Sequence, residues 1–313
     1  MRVLVALGGN AILQRGQQGL ASEQRANVQK TVEQIVRMIK AGHEVIVTHG
    51  NGPQVGAILI QNEMGRAAVP AMPMDVCGAE SQGLIGYMFC ESFSNTLARE
   101  GVTGRDPVCL VTRVEVDPED PAFAHPTKPV GPFSTEEAAK KRIEETGETW
   151  ISDAGRGWRR VVPSPDPMAI VEKDVINDLL EKGFTLIASG GGGIPVIKRP
   201  DGQCEGVEAV IDKDLAGELL AASVKADLLM ILTDVPRVAV HYGTPQQQWL
   251  ERLTLAEMES LEKEGHFKAG SMGPKVKAIL RFVRSGGERG VIAGLDEALE
   301  ALEGTAGTQI CRN

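Results

Sequence analysis

The chain is 313 residues long, 42% hydrophobic and 24% charged, with aromatics at only 4%. That is the composition of a globular chain with length for one large α/β domain or two lobes, and a core of Val, Ile, Leu, Ala and Met. Lys and Arg number 33 against 42 Asp and Glu, a net charge of −9, so the electrostatic footprint of a nucleic-acid binder is missing, although lysines gathered in one cleft would still hold an anion.

Residues 3–7 are a short continuous apolar run, which predicts a strand buried on both faces, and it stops at Gly8, Gly9 and Asn10. Residues 22–41 place Val28, Val32, Ile35, Val36 and Ile39 on one helical face, with Gly42 as the stop. Residues 44–48 predict a second buried strand, followed by Gly50, Asn51, Gly52 and Pro53 and a helix to residue 66. Strand, loop and helix in alternation imply a parallel sheet with right-handed crossovers. Residues 79–100 read as a helix closed by Gly101, and residues 108–116 as a strand. Pro118, Pro121, Pro126, Pro129 and Pro132 then forbid regular helix or central strand across residues 117–133. Ser134 followed by Glu137 reads as a capping box opening a helix to residue 146, and residues 149–162 as a small hairpin. Residues 117–165 are therefore expected to leave the main sheet as a lid or protruding subdomain.

Residues 167–182 are predicted helical, and residues 184–188 a strand leading into Ser189 and the glycines 190–193. Asp201 and Gly202 mark a hairpin turn. Residues 213–223 predict a helix, and residues 228–232 a strand ending at Thr233 and Asp234. Helices at 254–265 and 274–285, a strand at 291–293 and a helix at 296–303 complete the chain.

Three glycine-rich loops thus follow apolar strands, at 8–10, 50–52 and 190–193. Each alone reads as well as a structural turn. Together, on one sheet edge, they would offer backbone N–H groups to a polyanion. No Walker A run occurs, and Gly191 and Gly193 are followed by Pro195 and Val196 rather than a third glycine, which disfavours a dinucleotide fingerprint. Lys213 and Asp214 stand at a strand-to-helix junction, where Asp212 could simply cap the helix and Lys213 could be solvated. Lys275 follows Pro274 in a first helical turn, where it opposes the helix dipole unless an anion sits there. Lys128 lies among the prolines, on stiff backbone. Phosphoryl transfer needs positioning and positive charge rather than covalent chemistry, which glycine loops and lysines would supply. The cysteines (Cys77, Cys90, Cys109, Cys204, Cys311) and the histidines (His43, His49, His125, His241, His266) show no metal-ligand spacing, and no Ser/His/Asp or Cys/His arrangement is recognisable. No stretch reaches membrane-spanning length, and the N-terminal apolar run is too short for a signal peptide. Buried free thiols in the cytoplasm are the expectation.

These residues resemble the carbamate kinases of the amino acid kinase superfamily over nearly the whole chain. The carriers are ALGGNA at 6–11, THGNGPQVG at 48–56, SQGLIGY at 81–87, DPAF at 120–123, PTKP at 126–129, DAGRG at 153–157, RRVV at 159–162, GGGGIPV at 190–196, AVIDKD at 209–214 and GSMGPK at 270–275. The resemblance implies a three-layer α/β/α sandwich with a mainly parallel central sheet and a small protruding subdomain. It implies an acceptor lobe at residues 1–200, carrying the excursion at 117–165, and a nucleotide lobe at 201–313. It also implies a homodimer, while charge and hydropathy leave no expectation of a nucleic-acid or membrane partner. The reaction implied is MgATP plus carbamate giving ADP and carbamoyl phosphate, reversible and often run toward ATP. Carbamate is already an oxyanion, so no general base is needed.

Carried over by matching motif, Gly8, Gly9, Asn10, Gly270, Ser271 and Met272 would hold the phosphoryl groups, and Gly50, Asn51 and Gly52 the carbamate. Gly190, Gly191, Gly192, Thr233, Asp234 and Tyr242 would meet the nucleotide. Lys128, Lys213 and Lys275 would neutralise transition-state charge, with Asp214 orienting them. Mg²⁺ would be held mainly by nucleotide phosphates, with no direct protein ligand. Many superfamily kinases carry a lysine two residues before the paired glycines. Here that position is Ala6, and Lys128, from the excursion, is the implied substitute. Glu80, Trp158, Pro236 and His241 depart from the family pattern, the last two in the stretch expected near adenine. Two other readings are a kinase of a related small carbamate or carboxylate, and a non-catalytic paralogue. Retention of all three lysines and Asp214 argues against the second.

Overall fold

The first strand, expected at 3–7, spans Arg2–Leu7 and lies inside an eight-stranded sheet. The structure, a computed structural model, describes residues 1–152, 156–268 and 271–313. Among these residues the sheet order is Arg252–Thr254, Thr308–Cys311, Arg289–Gly294, Leu228–Thr233, Arg2–Leu7, Glu44–His49, Thr185–Ile187 and Pro107–Cys109. Every neighbouring pair is parallel except Arg289–Gly294 with Thr308–Cys311. Side chains alternate across the sheet. Val3, Val5 and Leu7 therefore meet the apolar faces of helices Ala21–Lys40, Met74–Arg99 and Ala298–Glu303 on one side. Leu4 and Ala6 join the cores of helices Lys173–Glu181, Lys213–Ser223, Leu255–Lys263 and Met272–Arg284 on the other. The result is the α/β/α sandwich expected.

Several predicted boundaries move. The helix expected at 79–100 begins at Met74. The strand expected at 108–116 is two strands: Pro107–Cys109 in the main sheet and Arg113–Val116 in a four-stranded sheet with Pro167–Ile170, Ile194–Lys198 and Cys204–Gly206. Between them the side chain of Gln82 takes over backbone pairing, accepting from Thr112 N at 2.8 Å and donating to Thr112 O at 3.2 Å. The helix expected at 167–182 is wrong at its start. Residues Pro167–Ile170 are a strand paired antiparallel with Arg113–Val116, and only Lys173–Glu181 is helical. Strand Thr308–Cys311 was not expected.

The excursion is a three-stranded sheet, with Trp158–Val162 between Lys128–Ser134 and Thr149–Ser152, plus helix Glu136–Thr146. Pro129 and Pro132 are accommodated because Lys128–Ser134 is an edge strand whose register shifts between Val130 and Phe133. Thr135, not Ser134, caps the helix, its hydroxyl accepting from Ala138 N. The excursion docks through Val130 and Val162 against Val55 and Ile58 of helix Gly52–Gly65 and against Met74 and Cys77.

Candidate active site

Four adjacent parallel strands, Leu228–Thr233, Arg2–Leu7, Glu44–His49 and Thr185–Ile187, end on one edge, and a turn leaves each. Backbone bonds stitch these turns side by side: Gly8 N to Leu232 O and Gly50 N to Leu7 O, both 3.0 Å. Thr48 Oγ1 donates to Ser189 O at 2.9 Å. The sheet edge thus gathers the three glycine loops and the turn at Thr233 and Asp234.

Helix Lys213–Ser223 opens beside these turns because Asp212 caps it, Oδ1 accepting from Asp214 N at 3.0 Å. Lys213 Nζ donates to Asp214 Oδ1 at 2.6 Å, and Lys275 Nζ to Asp214 Oδ2 at 3.0 Å. Asp214 is buried at 3% exposure. Burial alone would raise its carboxyl, but the two ammonium groups outweigh it and hold Asp214 below the ordinary carboxylate range. Burial also pulls the Lys213 ammonium down, against the attraction of Asp214. Both oxygens of Asp214 are used, so it locks two lysines side by side against their mutual repulsion. Lys128 reaches in from the excursion and donates to Asp212 Oδ2 at 3.2 Å.

A cavity of about 360 Å³ is lined by Gly9, Gly50, Asn51, Gly52, Gly191, Asp212, Asp214, Ser271, the three lysines and Arg159. A second, of about 530 Å³, is lined by Thr233, Asp234, His241, Tyr242, His266, Phe267 and Met272. They share Ser271 and Lys275. Of the predicted site residues, Gly8 and Asn10 line neither cavity, and the Asn10 amide donates to Asp234 Oδ2 at 3.1 Å. Gly270 lies outside the described residues, as do Asp153, Ala154 and Gly155 of the DAGRG run. Gly190, Gly191 and Gly192 do not join Thr233, Asp234 and Tyr242, with which they were grouped. Gly191 lines the smaller cavity and none of the three lines the larger. A Cβ on Gly191 would lie 2.1 Å from Asn51 Nδ2, so this loop packs against the 50–52 loop.

The supporting residues were less visible in the sequence. Asn51 Nδ2 donates to Ser81 Oγ at 2.8 Å, and Gln82 Nε2 to Gly190 O at 2.9 Å. Both partners come from helix Met74–Arg99, and both lie in the SQGLIGY run without a role read for them. Arg159, in the RRVV run, was missed although it lines the smaller cavity, its guanidinium 5.2 Å from the Phe133 ring centre. Asp212 was read as a cap, and its bond to Lys128 is additional. His241 sits at φ 52°, a left-handed conformation that asparagine and histidine tolerate better than most residues. Its ring lies edge-on to His266, centroids 4.8 Å apart. Glu80 is exposed and lines neither cavity.

Residues 1–294 match the amino acid kinase family. The chain belongs to that family. It is 59% identical to the carbamate kinase of Thermococcus kodakarensis, covering 99% of each chain, and 55% identical to that of Pyrococcus horikoshii, covering 99% of this chain and 98% of the relative. The structure of a Giardia lamblia carbamate kinase bound to AMP-PNP is 46% identical and superposes with a TM-score of 0.96, covering 100% of this chain and 98% of that one. Membership of the family and likeness to the carbamate kinases make the protein a phosphotransferase.

Proposed function

We propose that this protein transfers the γ-phosphoryl group of MgATP to carbamate, giving ADP and carbamoyl phosphate, and runs the reverse, ATP-forming reaction. The observation that carries the reading is two cavities meeting at Lys275, with Asp214 bonded to Lys275 on one side and Lys213 on the other. Likeness to the archaeal carbamate kinases supports the choice of acceptor. The nucleotide occupies the larger cavity, its base toward Tyr242 and its phosphates toward Ser271 and Met272. Carbamate occupies the smaller one against Gly50, Asn51 and Gly52, beside Gly191. A carbamate oxygen attacks the γ-phosphorus near Gly9, and the bond from phosphorus to the ADP oxygen breaks. Carbamate brings its own negative charge, so no proton has to be removed. Lys213, Lys275 and Lys128 meet the charge spread over the phosphoryl oxygens, with Arg159 adding a fourth cation.

The carboxylates of the site are engaged: Asp214 by two lysines, Asp212 by the cap and Lys128, and Asp234 by Asn10 and Thr233. Such a donor set suits a Mg²⁺ carried on nucleotide phosphates and water, where it would neutralise phosphate charge. We further infer a homodimer, supported by the exposed Leu84 and Tyr87 on helix Met74–Arg99 beside the edge strand Pro107–Cys109. No described helix is long and apolar enough to cross a membrane. The five cysteines are unpaired, as in a reducing cytoplasm. The test is direct: purified protein, ADP, Mg²⁺ and carbamoyl phosphate should yield ATP, and no ATP above a protein-free control overturns the reading.

A further inference from the structure

The excursion meets the rest of the chain along residues 207–212, the segment that runs into helix Lys213–Ser223. Val210 N donates to Pro163 O at 3.0 Å, and the Val210 side chain packs against the cluster of Val55, Ile58, Met74, Cys77, Val130 and Val162. An ion pair flanks this apolar knot on each side. Glu208, two residues before Val210, accepts from Arg160, and also from Met74 N at 2.8 Å. Asp212, two residues after, accepts from Lys128 Nζ at 3.2 Å. Lys128 and Arg160 stand on paired strands, opposite Val162 and Val130.

The two members of the Lys128–Asp212 pair are unequal. The Asp212 carboxylate is oriented by its cap bond to Asp214 N, whereas Lys128 hangs on a flexible four-carbon stem with its side chain 39% exposed. One bond to Asp212 leaves two of the ammonium's three N–H donors for an anion. We propose that Asp212 is the positioning residue for Lys128, holding it over the smaller cavity before substrate binds, with Glu208 and Arg160 clasping the same strands from outside. The kinetic part rests on the phosphoryl-transfer reading above. It deepens that reading, because the segment that docks the excursion continues directly into Lys213 and Asp214. Closing the cavity and aligning the lysines are then one event.

Asp212→Asn keeps the cap, since asparagine caps as well as aspartate, and removes the charge. It should lower kcat/KM for carbamoyl phosphate by about fivefold, the upper range for a partly exposed pair, mostly through KM. Lys128→Ala should then cost about fivefold less in the Asp212→Asn background than in wild type, the non-additivity of a coupled pair. Amide hydrogen exchange supplies a readout independent of turnover. Residues 128–134 should exchange faster in Asp212→Asn and in Glu208→Gln, while residues 2–7 stay protected. An equal cost of Lys128→Ala in both backgrounds overturns the proposal, as does unchanged exchange at 128–134. Loosening that includes residues 2–7 overturns it too, because it would report a purely structural residue. Selective loosening in a protein that makes no ATP would leave the docking role standing and remove only the proposed reaction.

Discussion

His49 is 1% exposed, one residue before the 50–52 loop, with its ring stacked on Phe89. Its Nδ1 lies 3.0 Å from Gly50 O, and a carbonyl only accepts, so the neutral ring carries its proton there. Burial pushes the imidazole down to about 4 from an ordinary 6.5, with the Gly50 bond opposing. At about 1.4 kcal/mol per pH unit that amounts to roughly 3 kcal/mol. The folded state resists the proton that the unfolded chain accepts below pH 6.5. Its stability contribution is therefore constant above 6.5 and falls as pH drops toward 4. His49→Asn keeps a donor for Gly50 and should flatten the decline of Tm between those pH values, even though it loses the Phe89 contact. An unchanged slope in thermal melts would assign the acid sensitivity to other groups. At this scale the sequence exposed the residues that stand in local signals, such as Lys213 after a cap and Lys275 after Pro274. It did not expose the second bond of Asp212, whose partner is 84 positions away. It also did not reveal the burial that makes His49 differ from the exposed His125.

Among the elements, helix Lys213–Ser223 matches its predicted bounds because every signal for it is local: the Asp212 cap at one end and loss of the apolar pattern at the other. Strand Pro167–Ile170 was misread because nothing in its own four residues decides between strand and helix. Its identity comes from pairing with Arg113–Val116, over fifty positions earlier in the chain. The glycine run at 190–193 reads as special and is grouped with the nucleotide residues; that Gly191 packs against the 50–52 loop is a neighbour relation that sequence does not show. Gly191 supplies a test of the acceptor-side placement. It has φ +69°, and a Cβ there would collide with the Asn51 amide. Gly42 has φ +90° with nothing within 4 Å of a built Cβ. Alanine at either position should cost about 1–2 kcal/mol of left-handed backbone strain. Only Gly191→Ala should also displace Asn51 and raise KM for the acceptor, by about tenfold if one hydrogen bond to a charged group is lost. Steady-state kinetics of the two variants side by side would reveal it, and equal KM values would move Gly191 out of the acceptor site.

For the whole molecule, alternating strands and helices made the parallel sheet legible, but not its order, which depends on pairings such as Arg2–Leu7 with Leu228–Thr233 across more than two hundred residues. The same long-range assembly ties the excursion to both lysine-bearing helices. At the root of the excursion, Asp166 N donates to Asp120 Oδ2 at 3.0 Å, joining the chain that enters to the chain that leaves. The Asp166 carboxylate accepts two bonds from Arg281, at 2.9 and 3.4 Å, on the helix that carries Lys275 in its first turn. Burial tends to raise the Asp166 carboxyl, but Arg281, with Lys277 adding, holds it below the ordinary range. Glu218 faces this pair from helix Lys213–Ser223, one turn beyond Asp214. Burial pushes its carboxyl up to about 7, with Arg281 opposing and Asp166 adding. A carboxyl raised in the folded state contributes stability that is complete below its ordinary 4.5 and is lost as pH rises through about 7. Above that, a charged Glu218 would compete with Asp166 for one guanidinium and loosen the junction between the excursion and the helices that carry Lys213 and Lys275. Glu218→Gln keeps the shape and cannot ionise. Its Tm advantage over wild type should be small at pH 5, grow toward about pH 7 and level off by pH 8. A difference that stays constant across that range would show that Glu218 does not titrate against this junction.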